Sequence, residues 1–141
     1  MKFYIASKLE NAEIVKRVAA VLKAAGHEHT YDWTEHGSVQ GEGEARLREV
    51  AENERQGVLD ADMVIVILPG GRGTHAELGM AAAWERPIMI CAETDELFQA
   101  DTHTCAFYWL YAVDRIVGPI DTWLEAILCK AQTIRKWRTE P

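Results

Sequence analysis

Met63-Val64-Ile65-Val66-Ile67-Leu68-Pro69-Gly70-Gly71-Arg72-Gly73-Thr74-His75-Ala76-Glu77-Leu78-Gly79-Met80-Ala81 passes from a wholly apolar run, through a proline and three glycines, into a run of helix formers that carries one acid. The run 63–68 is short and rich in β-branched residues, which suits a strand buried on both faces, as in a parallel sheet. The glycines allow a sharp turn and a close backbone approach to a ligand. A helix over 74–85 is expected to open at Thr74 and to end before Pro87. Its first turn offers unpaired N–H groups and the positive end of a dipole, with Glu77 inside that turn. Two readings of Glu77 stand on the motif alone. It is a carboxylate with its anionic form favoured, suited to act as a nucleophile or to stabilise a cationic centre, or it is the partner of Thr74 in a Thr-x-x-Glu capping box.

Upstream, residues 3–6 read as a first strand. Residues 11–25 read as a helix with Ile14, Val15, Val18, Val21, Leu22 and Ala25 at helical spacing, stopped by Gly26. Residues 27–31 alternate loosely as a second strand, and a glycine-rich loop through residue 43 is long enough to cover a pocket. A second helix over 44–59 places Leu47, Val50, Ala51 and Val58 on one stripe, and Glu54 shares that stripe. A carboxylate so placed either finds a partner or cavity, or lies at the helix margin and reaches water.

Downstream, 87–91 is a fourth strand and 92–103 a polar loop. The apolar, aromatic stretch 105–111 fits a core or a subunit interface, with a base-stacking surface as the alternative. Residues 115–117 form a fifth strand. Pro119 and the Thr122-x-x-Glu125 pattern open a last helix running through Ile134. This alternation specifies an α/β fold: a doubly wound, Rossmann-like or flavodoxin-like parallel sheet of about five strands with helices on both faces. Ligands bind such sheets beyond the carboxyl ends of the strands, where strand order reverses. With a flavodoxin-like order, Tyr4 and Ser7 face the turn 69–77 across one crevice.

The 141 residues, 48% of them hydrophobic, suit one domain over 1–141 with a sizeable core. The net charge of −7 argues against a nucleic-acid polymer as partner. The basic cluster Lys130, Arg135, Lys136 and Arg138 reads as the solvated end of a helix. Cys91, Cys105 and Cys129 are far apart and without a CxxC pair, so neither a disulfide framework nor a zinc knuckle is expected. His27 and His29 share a strand face but lack a third ligand at a diagnostic spacing, so no metal is expected. With no signal-like segment and no apolar run near the ~20 residues that span a bilayer, a soluble, cytoplasmic protein is expected.

The chain resembles the nucleoside 2-deoxyribosyltransferase family and its relatives, the deoxynucleoside 5'-monophosphate N-glycosidases, over roughly its first two-thirds. The resemblance rests on a first strand carrying Tyr4 and on Glu54-x-x-Gly57-Val58 ahead of Ala61-Asp62. It also rests on Gly73-x-x-x-Glu77-Leu78-Gly79-x-Ala81 followed by Arg86-Pro87-Ile88. It implies that Glu77 attacks C1' of a deoxyribose, expels the base and forms a covalent glycosyl-glutamate, after which a second base attacks with net retention. It also implies that Tyr4 orients Glu77 and that Glu54 stands for a family aspartate sharing a proton with the leaving base. The alternative for Tyr4 is an ordinary strand aromatic.

Gly71 occupies the place of a family aspartate or serine, so that role is unassigned. Arg72 is either a 5'-phosphate ligand together with the helix N-terminus or a solvated cation, and His75 is either a proton donor or sugar contact or an exposed side chain. Ser7, Gly70, Gly73 and Thr74 complete the expected binding wall, and Asp32, Trp33 and His36 in the long loop are placed to hold the base. The leading expectation is a nucleoside 2-deoxyribosyltransferase acting on a small nucleoside or nucleotide and a free base, with no cofactor. The alternatives are an N-glycosidase hydrolysing a nucleoside or its 5'-monophosphate, and a non-catalytic nucleotide sensor in which Glu77 only caps a helix. By the same resemblance a homo-oligomer is expected, with 107–111 at its interface.

Overall fold

The structure, a computed structural model, describes residues 1–139. The apolar run forms β3 (Met63–Ile67), and all five of its residues are buried. It pairs in parallel with β1 (Lys2–Ala6) on one side and β4 (Ile88–Ala92) on the other. Covered on both faces, it has no solvent side to alternate toward. The two edges are β2 (Glu28–His29) and β5 (Val113–Val117), and the sheet order is β2-β1-β3-β4-β5, parallel throughout. This is the flavodoxin-like order expected, with the switch point between β1 and β3.

Among the described residues four α-helices cover the sheet: α1 (Ala12–Ala24), α2 (Glu44–Asp60), α3 (Arg72–Ala83) and α4 (Ile120–Thr139). α1 packs with α4, and α2 packs with α3. Val15, Val18, Ala19 and Leu22 are the buried stripe of α1, and Gly26 stops the chain beyond it at φ +89°. Among the described residues no helix is long and apolar enough to cross a membrane.

Two local expectations are corrected. The second strand is two residues long rather than five. Beyond it the Thr30 hydroxyl donates to the Gly57 carbonyl at 2.7 Å, and the Asp32 carboxylate accepts from the Thr34 N–H at 3.0 Å to start a 3₁₀ turn at Trp33–Glu35. The last helix begins at Ile120, so Thr122 lies inside it and is no cap; its N–H donates to the Pro119 carbonyl at 2.9 Å. Gly118, at φ +141°, makes the turn out of β5, and Pro119 presets the helical φ immediately before Ile120.

The basic cluster of α4 is also not simply solvated. Lys130 pairs with Asp114 at 3.1 Å, and Arg138 pairs at 2.5 Å with the buried Asp62, whose carboxylate also accepts from the Lys2 N–H at 2.7 Å. These contacts tie the end of α4 to the start of the sheet, far from the switch point.

Candidate active site

The site begins with how α3 starts. Gly71, in extended backbone at φ −112° and ψ −163°, is its N-cap, and Thr74 Oγ1 accepts the Gly71 N–H at 3.0 Å. The helix therefore opens two residues earlier than expected, and Thr74 rather than Glu77 closes the capping contact. Glu77 lies in the second turn, where backbone N–H groups already have helical partners. Its reading as a helix cap is overturned, and with it the structural basis for a site in which Glu77 is only a cap.

Glu77 instead points into the molecule, buried against β1, and its carboxylate accepts a hydrogen bond from the buried Tyr4 hydroxyl. The expectation that a helix terminus favours the anion is corrected as well. Burial raises the Glu77 carboxyl to about 8; the Tyr4 hydrogen bond opposes this and the nearby Glu54 charge adds to it. Tyr4 is itself held well above its ordinary value, chiefly by burial and then by Glu77, so its hydroxyl stays a donor.

α2 supplies the second acid. Glu54 is half-buried, and burial raises its carboxyl while His36 pulls the other way. Gly57, one turn later, lets α2 lie directly against the first strand: a Cβ there would sit 2.8 Å from Tyr31 Cβ and 3.0 Å from Tyr4 Cδ2. The Glu54-x-x-Gly57 spacing thus has a physical reason, because the glycine lets the helix close on Tyr4 while the acid reaches the cleft. Gly70 serves the turn in the same way, since its missing Cβ leaves room for the Thr74 side chain, 2.6 Å away.

Glu54 and Glu77 open on one cleft of about 570 Å³, a volume suited to a nucleoside. The structure brings Ser7, Trp33, Gly71, Arg72, Gly73 and Thr74 to its wall with them. The Ser7 hydroxyl donates to the Ile67 carbonyl at 2.7 Å and accepts from Asn11 at 2.9 Å. Trp33 is buried with Nε1 donating to the Ile5 carbonyl at 2.8 Å, so it anchors the loop onto β1. His36 also reaches the wall.

Three candidates lie elsewhere. Asp32 is outside the cleft, its carboxylate engaged by the Thr34 N–H and hydroxyl. Gly70 packs on Thr74 behind the wall. His75 turns away from Glu77 toward Tyr108, to which its Nε2 lies at 2.6 Å. Tyr108 is buried, whereas Phe107, Trp109, Leu110 and Tyr111 are exposed.

Sequence reading missed Lys8, Ser38 and Gln40 on the cleft wall, and it read Leu47, Val50 and Ala51 of α2 as core. Val50 is buried, but Leu47 is 45% exposed and belongs to the opening. Position was the available signal for Lys8, which directly follows Ser7 at the carboxyl end of the first strand. Among the described residues no group of three His, Cys, Asp or Glu side chains is placed to hold a metal ion.

Comparisons with known proteins fit this arrangement. Comparison with curated protein sequences finds no match. Among solved structures the fold is similar to CMP N-glycosidase BcmB of Clostridium botulinum, with a TM-score of 0.65, 15% identity and coverage of 90% of this chain and 98% of that one. It is similar to the 2-deoxyribosyltransferase of Bacillus psychrosaccharolyticus, with a TM-score of 0.60, 24% identity and coverage of 70% and 77%. It is also similar to a conserved protein of Enterococcus faecalis V583, with a TM-score of 0.59, 21% identity and coverage of 92% and 98%. The profile described as nucleoside 2-deoxyribosyltransferase matches residues 3–114, which span β1 and the segments bearing Glu54 and Glu77. The chain therefore belongs to the nucleoside 2-deoxyribosyltransferase family, whose members act on N-glycosidic bonds.

Proposed function

We propose that the protein exchanges the base of a 2'-deoxynucleoside. The observation that carries this reading is that Glu77, held from behind by the buried Tyr4 hydroxyl, shares the wall of a nucleoside-sized cleft with Glu54. In the first step an ionised Glu77 oxygen bonds to C1' as the N-glycosidic bond breaks. The bond's electron pair leaves with the base, which takes the Glu54 proton. In the second step a nitrogen of the incoming base bonds to C1', the ester electrons return to Glu77, and Glu54 recovers a proton from the incoming base. Two inversions give net retention.

The environment supports this division of labour. Low polarity around Glu77 strengthens its attraction for a developing oxocarbenium charge. The two carboxyls share one cleft and couple to each other, so the reactive form is the one in which Glu77 has given up its proton and Glu54, raised by burial, holds the proton that the leaving base takes. Tyr4→Phe is expected to lower kcat by about 10- to 100-fold, the worth of a hydrogen bond to a charged group. Because the Tyr4 bond lowers the Glu77 carboxyl, its loss moves the limb of the pH–rate profile that reports Glu77 to higher pH. Steady-state rates across pH check both effects.

The direct test is to incubate a purine deoxynucleoside with a different free base and follow nucleosides by liquid chromatography. The expected result is the exchanged nucleoside. Base release without exchange across a broad base panel would overturn transfer in favour of hydrolysis.

One observation favours a second reading, hydrolysis of a nucleoside 5'-monophosphate: Lys8 and Arg72 both line the cleft at the N-terminal end of α3. Under it, Arg72→Gln raises KM for a monophosphate about tenfold, in keeping with a lost charge-assisted hydrogen bond, and leaves KM for the nucleoside within about twofold. Equal effects on both substrates would remove the phosphate from this end of the cleft.

A further inference from the structure

The glycine turn presents its groups to the cleft only if its backbone is held. Arg72 and Gly73 are the first two residues of α3, so their N–H groups have no intrahelical acceptor, and both residues line the cleft. One side of the turn is fixed by Asn11, whose amide donates to the Pro69 carbonyl at 2.9 Å. The other side is fixed by His75. Its Nδ1 lies 2.7 Å from the Gly71 carbonyl oxygen, which can only accept, so Nδ1 carries the hydrogen. In the neutral ring Nε2 is then the acceptor, and the Tyr108 hydroxyl, 2.6 Å away, donates to it. Each atom of the chain Tyr108–His75–Gly71 has one assigned role.

The outer end of this chain is well anchored. Tyr108 is buried and packs edge-on against Phe98, with centroids 5.9 Å apart. Its hydroxyl remains a donor over a wide pH range because burial raises its pKa to about 12. The next residue, Trp109, donates from Nε1 to Thr104 at 2.9 Å and lies under the Arg115 guanidinium at 4.3 Å. The segment before β5 thus reaches across to the turn that follows β3.

We infer that His75 and Tyr108 are a pair of positioning residues for substrate: Tyr108 sets the tautomer and orientation of His75, and His75 holds Gly71 so that the Arg72 and Gly73 backbone meets the bound sugar end. Neither side chain touches Glu77, so the pair governs binding rather than the bond-breaking step. This inference rests on the proposed glycosyl transfer for its kinetic readout, and a second readout needs no turnover.

Tyr108→Phe, His75→Asn and the double variant test the pair. Asparagine keeps a donor near Gly71 but cannot reach Tyr108. Tyr108→Phe is expected to raise KM about five- to tenfold, the range of one lost neutral hydrogen bond, with kcat within twofold. In the His75→Asn background the same change should add nothing, because the two residues act as one unit. Additive effects, or a lowered melting temperature with KM and kcat unchanged, would overturn the inference.

Independently, imidazole ¹⁵N spectra of the folded chain should show His75 protonated at Nδ1, and amide exchange at His75, whose backbone N–H donates to the same Gly71 carbonyl at 3.2 Å, should accelerate in Tyr108→Phe. The other tautomer, or unchanged exchange, would equally overturn it. If both NMR results appear and neither the wild-type chain nor any variant turns over a nucleoside, the pair stands and the transfer reading fails.

Discussion

Glu77→Gln is expected to lower turnover by about 10³-fold or more, the scale seen when a covalent nucleophile is removed. Glutamine keeps the shape and can still accept from the Tyr4 hydroxyl, so the variant should fold. It cannot supply the electron pair that bonds to C1'. Its stability should carry a matching signature. Glu77 has a carboxyl raised from 4.5 to about 8 in the folded chain, so the folded state holds this proton more tightly than the unfolded state does. That contribution to stability is fully present below about pH 4.5 and is lost as pH rises through about 8. Glutamine does not ionise, so the melting temperature of Glu77→Gln relative to wild type should rise between about pH 5 and about pH 9. An unchanged difference across that range would show that Glu77 is not held protonated by its surroundings.

Glu54→Gln is expected to lower the rate with ordinary deoxynucleosides by about 10²- to 10⁴-fold, the usual contribution of a positioned acid–base group. The loss should depend on the leaving group. A nucleoside of a 7-methylated purine carries its positive charge before cleavage and needs no added proton, so the variant should process it at a rate much nearer to wild type. The descending limb of the pH–rate profile should vanish with the side chain, since the raised Glu54 carboxyl is the group that must stay protonated. A uniform loss on both substrates would instead assign Glu54 to holding the sugar.

The sheet was legible because β3 is buried on both faces and shows it in every residue, and because strands and helices alternate along the chain. The start of α3 was not, because a glycine N-cap has no side chain to announce it while Thr74 carries the hydroxyl that usually does. That difference of two residues moved Glu77 from the helix terminus to the interior and reversed the direction of its pKa. The burial behind the reversal depends on α3 lying against β1, a contact between segments about seventy residues apart.

The resemblance paired Tyr4 with Glu77, and the structure has that hydrogen bond. Asp32 and His75 were misplaced for a local reason, because each side chain is taken up by backbone two to four residues away. Lys8 left no pattern beyond its place at the end of β1. The apolar residues of the α2 stripe were read as facing the core, with a cavity raised only for Glu54, although the outer half of the stripe lines the cleft, because periodicity does not separate a core from a pocket wall.

The central claim, that Glu77 becomes covalently bonded to the sugar, is tested most directly by intact-protein mass spectrometry after incubation with a 2-fluoro-substituted nucleoside. The fluorine destabilises the oxocarbenium-like transition states, and a good leaving base lets the first step outrun the second. The wild-type chain should gain the mass of one fluorinated sugar, peptide mapping should place it on Glu77, and Glu77→Gln should gain nothing. Exchanged nucleoside formed with no adduct, or an adduct on any other residue, would contradict the account.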